Sequence, residues 1–126
     1  MTAPTFPPAD RGAPVYGLRI ARADAGRDAV VRLDGELEMA TTARLREELA
    51  RALATECERI VVDLRPLAFI DSTGMHALVQ ADERCRAKGR SLTLLLAHGS
   101  SVERTLHLCG LLELLEHEGA AEPLAA

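Results

Sequence analysis

Residues 60–74 read IVVDLRPLAFIDSTG and carry the strongest structural signal in the chain. The stretch begins with a nearly continuous apolar run, 60–64, rich in β-branched residues, which is typical of a central strand covered on both faces. Pro66 interrupts the pattern, and a second apolar segment, 67–70, leads directly into Asp-Ser-Thr-Gly at 71–74. We therefore expect a buried strand, a break and a sharp entry into a helix.

The chain that follows this stretch alternates between helical and strand patterns. From Ser72 to Lys88 apolar residues recur with helical spacing, and Gly89 is suited to the position just beyond a helix C-terminus. Residues 91–97 are rich in leucine and predict another buried strand. A helix between two buried strands indicates a crossover connection in a parallel part of a sheet.

The C-terminal part of the chain predicts one more short helix. Ser100 and Glu103 have the three-residue spacing of a capping box, and the helix that follows them is expected to stop at Gly110. Residues 111–115 fit either a final edge strand or a helical turn. Residues 118–126 are weakly patterned and are expected to form a weakly ordered tail.

The chain before residue 60 predicts a hairpin and a helix. Residues 16–23 alternate between apolar and polar positions, and residues 29–33 return as a second strand after a short turn. Residues 41–55 have leucines at every fourth position and charges on the other side, as in an amphipathic helix. Either Thr41 or Thr42 can cap the start of this helix.

The order of elements predicts the fold class. Strands that alternate with helices after an initial hairpin indicate an α/β fold with a mixed sheet. We predict a single domain at residues 15–117, with a four- or five-stranded sheet and helices mainly on one face. Residues 1–14 contain four prolines and little to bury, so they are expected to form a disordered tail.

Composition excludes several classes of function. The chain has 126 residues, of which 48 % are hydrophobic, and a formal net charge of -4. A nucleic-acid-binding protein usually has a basic face, so this class is not expected. The sequence has no apolar run long enough for a membrane span and no signal-peptide pattern, which predicts a cytoplasmic protein.

The three cysteines predict neither a disulfide framework nor a metal site. Cys57, Cys85 and Cys109 are odd in number, widely spaced and without a CxxC pair. They are interpreted as reduced thiols that act as small hydrophobic fillers. The four histidines lack ligand spacing such as HExxH, so we expect neither a metal nor a cofactor.

The turn at residues 71–74 is the main candidate for a functional site. The simplest interpretation is structural, because Asp71 and Ser72 are both favoured helix N-caps. Two details favour function: neither residue has a capping-box partner, and Gly74 in the first helical turn costs about 1 kcal/mol relative to alanine. Gly74 would leave room for another molecule to approach Ser72, and the N–H groups of a helix N-terminus suit a phosphate there.

Three motifs in order resemble the STAS domain family of bacterial anti-sigma-factor antagonists. The first is LDGELE at residues 33–38, the second is the stretch 60–74, and the third is VER at 102–104 with Leu106 and CGL at 109–111. The resemblance covers about residues 16–116 and implies the fold predicted above. It also implies a protein that binds partners and is not an enzyme.

The resemblance implies a partner-switching role for Ser72. In this family the matching serine is phosphorylated by an anti-sigma factor that is also an ATP-dependent kinase. The unphosphorylated form binds that kinase and frees the sigma factor, and a serine phosphatase restores the serine. Thr73 is the alternative acceptor.

The partner-binding residues implied by the resemblance lie on both sides of this serine. They are Glu36, Glu38, Asp71, Ser72, Thr73, Gly74, Met75 and His76. Three of them depart from the family pattern, since Glu38 replaces the usual aspartate, Met75 a common leucine and His76 a smaller residue. These departures bear on which partner binds rather than on the fold.

Two other functions are compatible with parts of the sequence. Ser72, His76 and Asp71 could suggest a hydrolase, but the GxSxG elbow is absent and a base on the same helix is poorly placed to orient a nucleophile. Within the same family, some stand-alone domains are non-phosphorylated adaptors in stress-sensing or lipid-transport complexes. The intact Ser72 favours the phosphorylation switch.

Overall fold

The computed structural model describes residues 17–119, which form six strands and three α-helices. In chain order they are β1 (Leu18–Ala25), β2 (Asp28–Leu37), α1 (Thr42–Leu53), β3 (Arg59–Asp63), β4 (Leu67–Ile70), α2 (Ser72–Ala87), β5 (Ser91–Leu96), α3 (Ser101–Leu108) and β6 (Glu116–Gly119). A 3-10 helix, Leu111–Glu113, connects α3 to β6. The tail predicted at residues 1–14 lies outside the described residues, as does the chain beyond 119.

The six strands form one mixed sheet in the order β1-β2-β3-β5-β6, and β4 pairs with β2. The strands β1 and β2 are antiparallel, and all other pairs are parallel. Both β3 and β4 lie beside β2, with β3 along its first half and β4 along its end. The predicted α/β class with a mixed sheet is confirmed. The predicted number of strands was too low, because β4 was not recognised and a final edge strand was considered at residues 111–115 rather than at 116–119.

The three helices pack against one face of the sheet. The hydrophobic core contains alternate residues of the central strands, such as Val31, Val62 and Leu94, together with buried residues of all three helices. Val31 lies beside Val62 and Val62 beside Leu94 in the register, so these side chains project from the same face. The expectation that the helices lie mainly on one face is therefore correct.

Several ion pairs lie on the other face of the sheet. Asp63 is 1 % exposed at its side chain and accepts hydrogen bonds from Arg32 on β2 and from Arg65 just after β3. Arg59 pairs with Asp28 at 2.7 Å between Nη2 and Oδ2. These ion pairs lie on the face of the sheet that the described helices do not cover.

The capping box predicted for α3 is present. The Ser100 hydroxyl accepts a hydrogen bond from the Glu103 backbone N–H at 3.1 Å, and the Glu103 carboxylate accepts one from Gly99 N–H at 2.7 Å. Gly110 follows α3 with a φ of 79°, as expected for the end of a helix. Of the two alternatives for residues 111–115, the helical turn is observed at 111–113.

The last strand extends two residues past the predicted domain boundary at 117. The strand β6 continues to Gly119 and pairs in parallel with β5. All four β6 residues are exposed, so no apolar alternation marked this strand in the sequence. Among residues 17–119, no helix is long and apolar enough to cross a membrane.

The three cysteines are free thiols in three different environments. Cys85 is buried in the core, and burial raises the pKa of its thiol to about 11. Cys57 is half-buried against the core. Cys109 is exposed, so its interpretation as a hydrophobic filler is wrong.

Candidate docking site around Ser72

Ser72 is the first residue of α2, and its side chain is exposed. The N-cap is Asp71, whose carboxylate accepts a hydrogen bond from the Gly74 backbone N–H at 3.0 Å. Within residues 17–119, the Ser72 hydroxyl forms no hydrogen bond. The structural role at this turn therefore belongs to Asp71, and the Ser72 hydroxyl is accessible to another molecule.

Asp71 also connects the helix to the loop that follows β2. Its carboxylate accepts a hydrogen bond from the Thr73 hydroxyl at 2.6 Å and one from the Met39 backbone N–H at 3.1 Å. The Thr73 hydroxyl holds the pKa of the Asp71 carboxyl below its usual range, and the N–H groups of Gly74 and Met39 act in the same direction. Asp71 is thus a fixed negative charge next to Ser72.

Replacement of Asp71 tests this connection. Asp71→Ala removes the cap and is expected to lower the free energy of unfolding by about 1 kcal/mol, because asparagine and aspartate caps stabilise helices by about this amount relative to alanine. Asp71→Asn retains a favoured cap, so it is expected to lose less. Urea denaturation of both variants at neutral pH measures the difference, and equal losses would contradict a capping role.

Thr73 is less accessible than Ser72. Its hydroxyl donates to Asp71 and lies 3.5 Å from the Thr42 hydroxyl at the start of α1. Thr73 is also partly buried. This hydroxyl therefore contacts residues at the N-termini of both α1 and α2.

The loop before α1 is held by threonine side chains in a way that the sequence did not indicate. Thr41 is the N-cap residue of α1, but its side chain forms no capping hydrogen bond. Its hydroxyl instead accepts from the Glu38 N–H at 3.0 Å and donates to the Glu36 carbonyl at 2.8 Å. The Thr42 hydroxyl donates to the Glu38 carbonyl at 2.7 Å. Thr41 therefore occupies the predicted N-cap position, but neither threonine hydroxyl caps the helix, because both form hydrogen bonds within the turn between β2 and α1.

Gly74 is buried, and its role differs from the one inferred from the sequence. A Cβ atom at this position would lie 2.8 Å from Leu37 Cγ and 3.0 Å from Ile70 Cγ1. Leu37 is itself fully buried, so it has little freedom to move. The glycine lets the first turn of α2 pack closely on β2 and β4. It does not leave room for another molecule, and that interpretation is corrected.

Gly74→Ala is expected to destabilise the fold by about 1 to 2 kcal/mol, because the added methyl group overpacks the core by more than the gain in helix propensity. The companion variant is Leu37→Ala, which removes the two nearest atoms, Leu37 Cγ and Cδ2. The double variant is expected to lose less stability than the sum of the losses in the two single variants, since the two residues are in contact. Thermal denaturation measures all three, and a Gly74→Ala protein as stable as wild type would contradict the packing account.

The structure brings most of the predicted site residues to one surface, where β2 and β4 end and α2 begins. Glu36 and His76 are exposed, whereas Glu38 is partly exposed. The Glu38 carboxylate accepts a hydrogen bond from the Ala40 N–H at 2.9 Å. Met75 is partly buried against the core, so only part of it contributes to this surface.

Two exposed apolar residues at this surface were not identified from the sequence. Met39 is 76 % exposed and Phe69 is 50 % exposed. Met39 lies in a polar loop, and a large apolar residue in such a loop could have indicated an exposed binding residue. Phe69 lies in an apolar segment that predicts burial, so its exposure could not be anticipated.

Neither a base hydrogen-bonded to Ser72 nor a metal-binding cluster is found among the residues that the structure describes. Among these residues, no hydrogen bond joins Ser72 to His76. In residues 17–119, no group of three or more His, Cys, Asp or Glu side chains could hold a metal ion. The geometry is that of an exposed hydroxyl within a surface of carboxylates and apolar side chains.

Comparison with known proteins agrees with this fold and with the motifs. A family model described as STAS domain matches residues 20–122, and the chain belongs to the STAS domain family. A relative is the anti-sigma-F factor antagonist RsfB of Mycobacterium tuberculosis, 30 % identical over 95 residues, or 75 % of each chain.

Two solved structures share the fold. An anti-sigma factor antagonist from Mycobacterium paratuberculosis has a TM-score of 0.75 and 22 % identity, with 82 % of this chain and 87 % of that chain covered. The phosphorylated form of Bacillus SpoIIAA has a TM-score of 0.60 and 21 % identity, with 84 % of this chain and 95 % of that chain covered. At these identities the similarity concerns the fold.

Proposed function

We propose that this protein is an anti-sigma-factor antagonist whose binding is switched by phosphorylation of Ser72. The observation that carries the proposal is the exposed Ser72 hydroxyl beside the Asp71 cap. The name of the relative RsfB supports the class of partner, and SpoIIAA is a protein of the same fold that has been solved in a phosphorylated form.

The partners in this scheme are an anti-sigma factor that is also a serine kinase and a phosphatase that reverses its reaction. The unphosphorylated chain binds the anti-sigma factor and so releases the sigma factor. The kinase transfers a phosphoryl group to Ser72 and the complex dissociates. Because sigma factors act with RNA polymerase, this role places the protein in the cytoplasm.

The electrostatics around Ser72 explain how a phosphate can act as the switch. A phosphoserine carries about -1.5 to -2 charges at pH 7. Asp71 already occupies the Gly74 N–H, so the helix N-terminus has less capacity to neutralise a second anion. The phosphate therefore adds charge to a surface that already contains Glu36, Glu38 and Asp71, and it occupies space where a partner must pack.

Ser72 is favoured over Thr73 as the acceptor on geometric grounds. The Thr73 hydroxyl donates to Asp71 and is partly buried, so phosphorylation there would break a hydrogen bond and require local opening. Ser72 needs no such change. The accessibility of the two hydroxyls to a kinase therefore favours Ser72 as the acceptor.

A release assay tests the proposed function. A preformed complex of a sigma factor with its anti-sigma factor kinase, from the source bacterium and in the ADP-bound state, is mixed with the purified chain. We expect the chain to displace the sigma factor and to form its own complex with the kinase, as resolved by size-exclusion chromatography. If no sigma factor is displaced from any such kinase complex of that bacterium, the proposed function is wrong.

A further inference from the structure

Met39 and Phe69 are two large, exposed apolar side chains on the segments that adjoin the turn of Asp71 and Ser72. They are 76 % and 50 % exposed. Met39 belongs to the loop after β2, and Phe69 is on β4, two residues before Asp71. A large exposed apolar side chain is unfavourable in water, so two of them at one candidate site call for an explanation.

A β-bulge places Phe69 on the surface. In the register between β2 and β4, Gly35 pairs with Leu67 and Glu36 pairs with Phe69, so Ala68 is an extra residue. Leu67 and Ile70 are three positions apart, yet both are buried. Without the bulge, strict alternation would put Leu67 and Phe69 on the same face. Bulges often redirect a side chain next to a functional site, and here Phe69 is turned outward beside Glu36.

The position of Met39 is fixed by its backbone. Its N–H donates to Asp71 Oδ2 at 3.1 Å, and the next N–H, that of Ala40, donates to the Glu38 carboxylate at 2.9 Å. The loop is thus tied to the N-terminus of α2, while the thioether side chain remains exposed. Asp71 holds both Met39 and the turn that contains Ser72.

The carboxylates nearest in the fold to the two apolar residues have no ion-pair partner in the described chain. Glu36, Glu38 and Asp71 lie at this surface, and none of the three forms an ion pair with a cation among residues 17–119. Other carboxylates of the described chain, such as Asp63 and Asp28, have arginine partners. The surface therefore complements a partner with apolar side chains and a nearby cation.

We propose that Met39 and Phe69 form the apolar centre of the surface that binds the anti-sigma factor, with Glu36 paired to a lysine or arginine of that partner. This assignment rests on the proposed function for the identity of the partner. Aromatic and methionine side chains are enriched at the buried centre of protein interfaces, where a few residues carry most of the binding energy, and charges at the rim mainly set association rates. A phosphate on Ser72 then acts next to the residues that hold the partner.

Affinity measurements on matched variants test this surface. The probe is the anti-sigma factor kinase that binds the wild-type chain in the release assay, titrated in its ADP-bound state by isothermal titration calorimetry. Phe69→Ala and Met39→Ala are each expected to weaken binding about tenfold or more. The control is Leu114→Ala, because Leu114 is 61 % exposed and lies beside Arg86, about 21 Å along α2 from Ser72. Its affinity is expected to remain within about twofold of wild type.

The role of Glu36 is tested by association kinetics. Glu36→Gln is expected to slow association and to reduce its dependence on salt, whereas Glu113→Gln, near Leu114, should change neither. Circular dichroism verifies that each variant is folded. Since Met39 is mostly exposed, Met39→Ala remains informative even if Phe69→Ala is unstable.

The outcomes distinguish this inference from the proposed function. If Met39→Ala and Phe69→Ala bind like wild type while Ser72→Asp loses affinity, the apolar centre is wrong and the switch stands. If the two apolar variants lose affinity while the chain phosphorylated on Ser72 binds as tightly as the unphosphorylated chain, the surface is correct and the phosphorylation switch is wrong. Equal losses in Leu114→Ala and Phe69→Ala would also overturn the assignment.

Discussion

Phosphorylation of Ser72 is expected to weaken binding to the anti-sigma factor by about 100-fold, or about 3 kcal/mol. The phosphate adds negative charge beside Asp71, whose carboxylate is held ionised by hydrogen bonds from the Thr73 hydroxyl and two backbone N–H groups. A partner that approaches Met39 and Phe69 would have to bury this extra charge. Calorimetric titration of the phosphorylated chain against the unphosphorylated chain measures the loss.

Two substitutions separate the effect of charge from that of size. Ser72→Asp introduces a negative charge, and Ser72→Asn introduces a side chain of nearly the same shape without the charge. We expect the aspartate variant to bind more weakly than the asparagine variant, with a difference that shrinks at high salt. Equal affinities would show that the switch acts through steric exclusion and not through charge.

Replacement of Asp63 by alanine is expected to cost about 3 kcal/mol of folding stability, more than the replacement of an exposed carboxylate of this chain. Its carboxylate is 1 % exposed and accepts hydrogen bonds from Arg32 and from both the side chain and backbone of Arg65. Alanine leaves two guanidinium groups close together without their shared anion. Because these arginine side chains are 40 % and 43 % exposed, water reduces the loss to the lower end of the range for buried pairs.

The contribution of Asp63 is expected to depend on pH. Burial alone would raise the pKa of Asp63, but the hydrogen bonds and charge of Arg65 and the hydrogen bond from Arg32 outweigh it and lower the pKa below its ordinary value of 3.8. A lowered pKa in the folded state gives stability that is present above pH 3.8 and lost as the pH falls through the folded value. In urea denaturation, the free energy of unfolding of wild type should exceed that of Asp63→Asn at neutral pH. This difference should become smaller in acid.

An exposed carboxylate provides the matched control for Asp63. Asp34 lies 3.7 Å from Arg19, with both side chains about half exposed. Asp34→Asn is expected to change stability by at most about 0.5 kcal/mol, because surface ion pairs contribute little. If the Asp34 and Asp63 variants lose equal stability, the contacts of Asp63 with Arg32 and Arg65 contribute no more to folding stability than an exposed ion pair.

Asp63 matters for the functional surface because it is the last residue of β3, directly before the connection to β4. Its carboxylate fixes the Arg65 backbone, directly before the proline that separates the two strands. That connection leads into β4, and β4 ends directly before Asp71 and Ser72. Stability and site geometry are linked at this turn.

Much of the fold could be predicted from the sequence because its local signals agree with its tertiary structure. The β-branched run at 60–64, the leucines of residues 41–55 and the Ser100–Glu103 capping box each correspond to an observed element. The two strands that were not predicted at their observed positions lack such a signal. Strand β4 has only four residues after a proline, and all of β6 is exposed, so neither has the expected alternation.

The site was predictable in its chemistry but not in its packing. The exposed position of Ser72 followed from the strand and helix patterns. The role of Gly74 did not, since its contact with Leu37 depends on how β2 lies against α2. The exposure of Phe69 depends on a bulge in the pairing of β2 with β4, a long-range register that a single sequence does not encode locally.

The central claim is tested most directly by intact-mass analysis of the chain after incubation with its anti-sigma factor kinase and ATP. We expect wild type to gain the mass of one phosphoryl group, Ser72→Ala to gain none, and Thr73→Ala to gain as much as wild type. No gain by wild type would favour a non-phosphorylated adaptor. A gain that persists in Ser72→Ala would contradict the assignment of Ser72 as the switch.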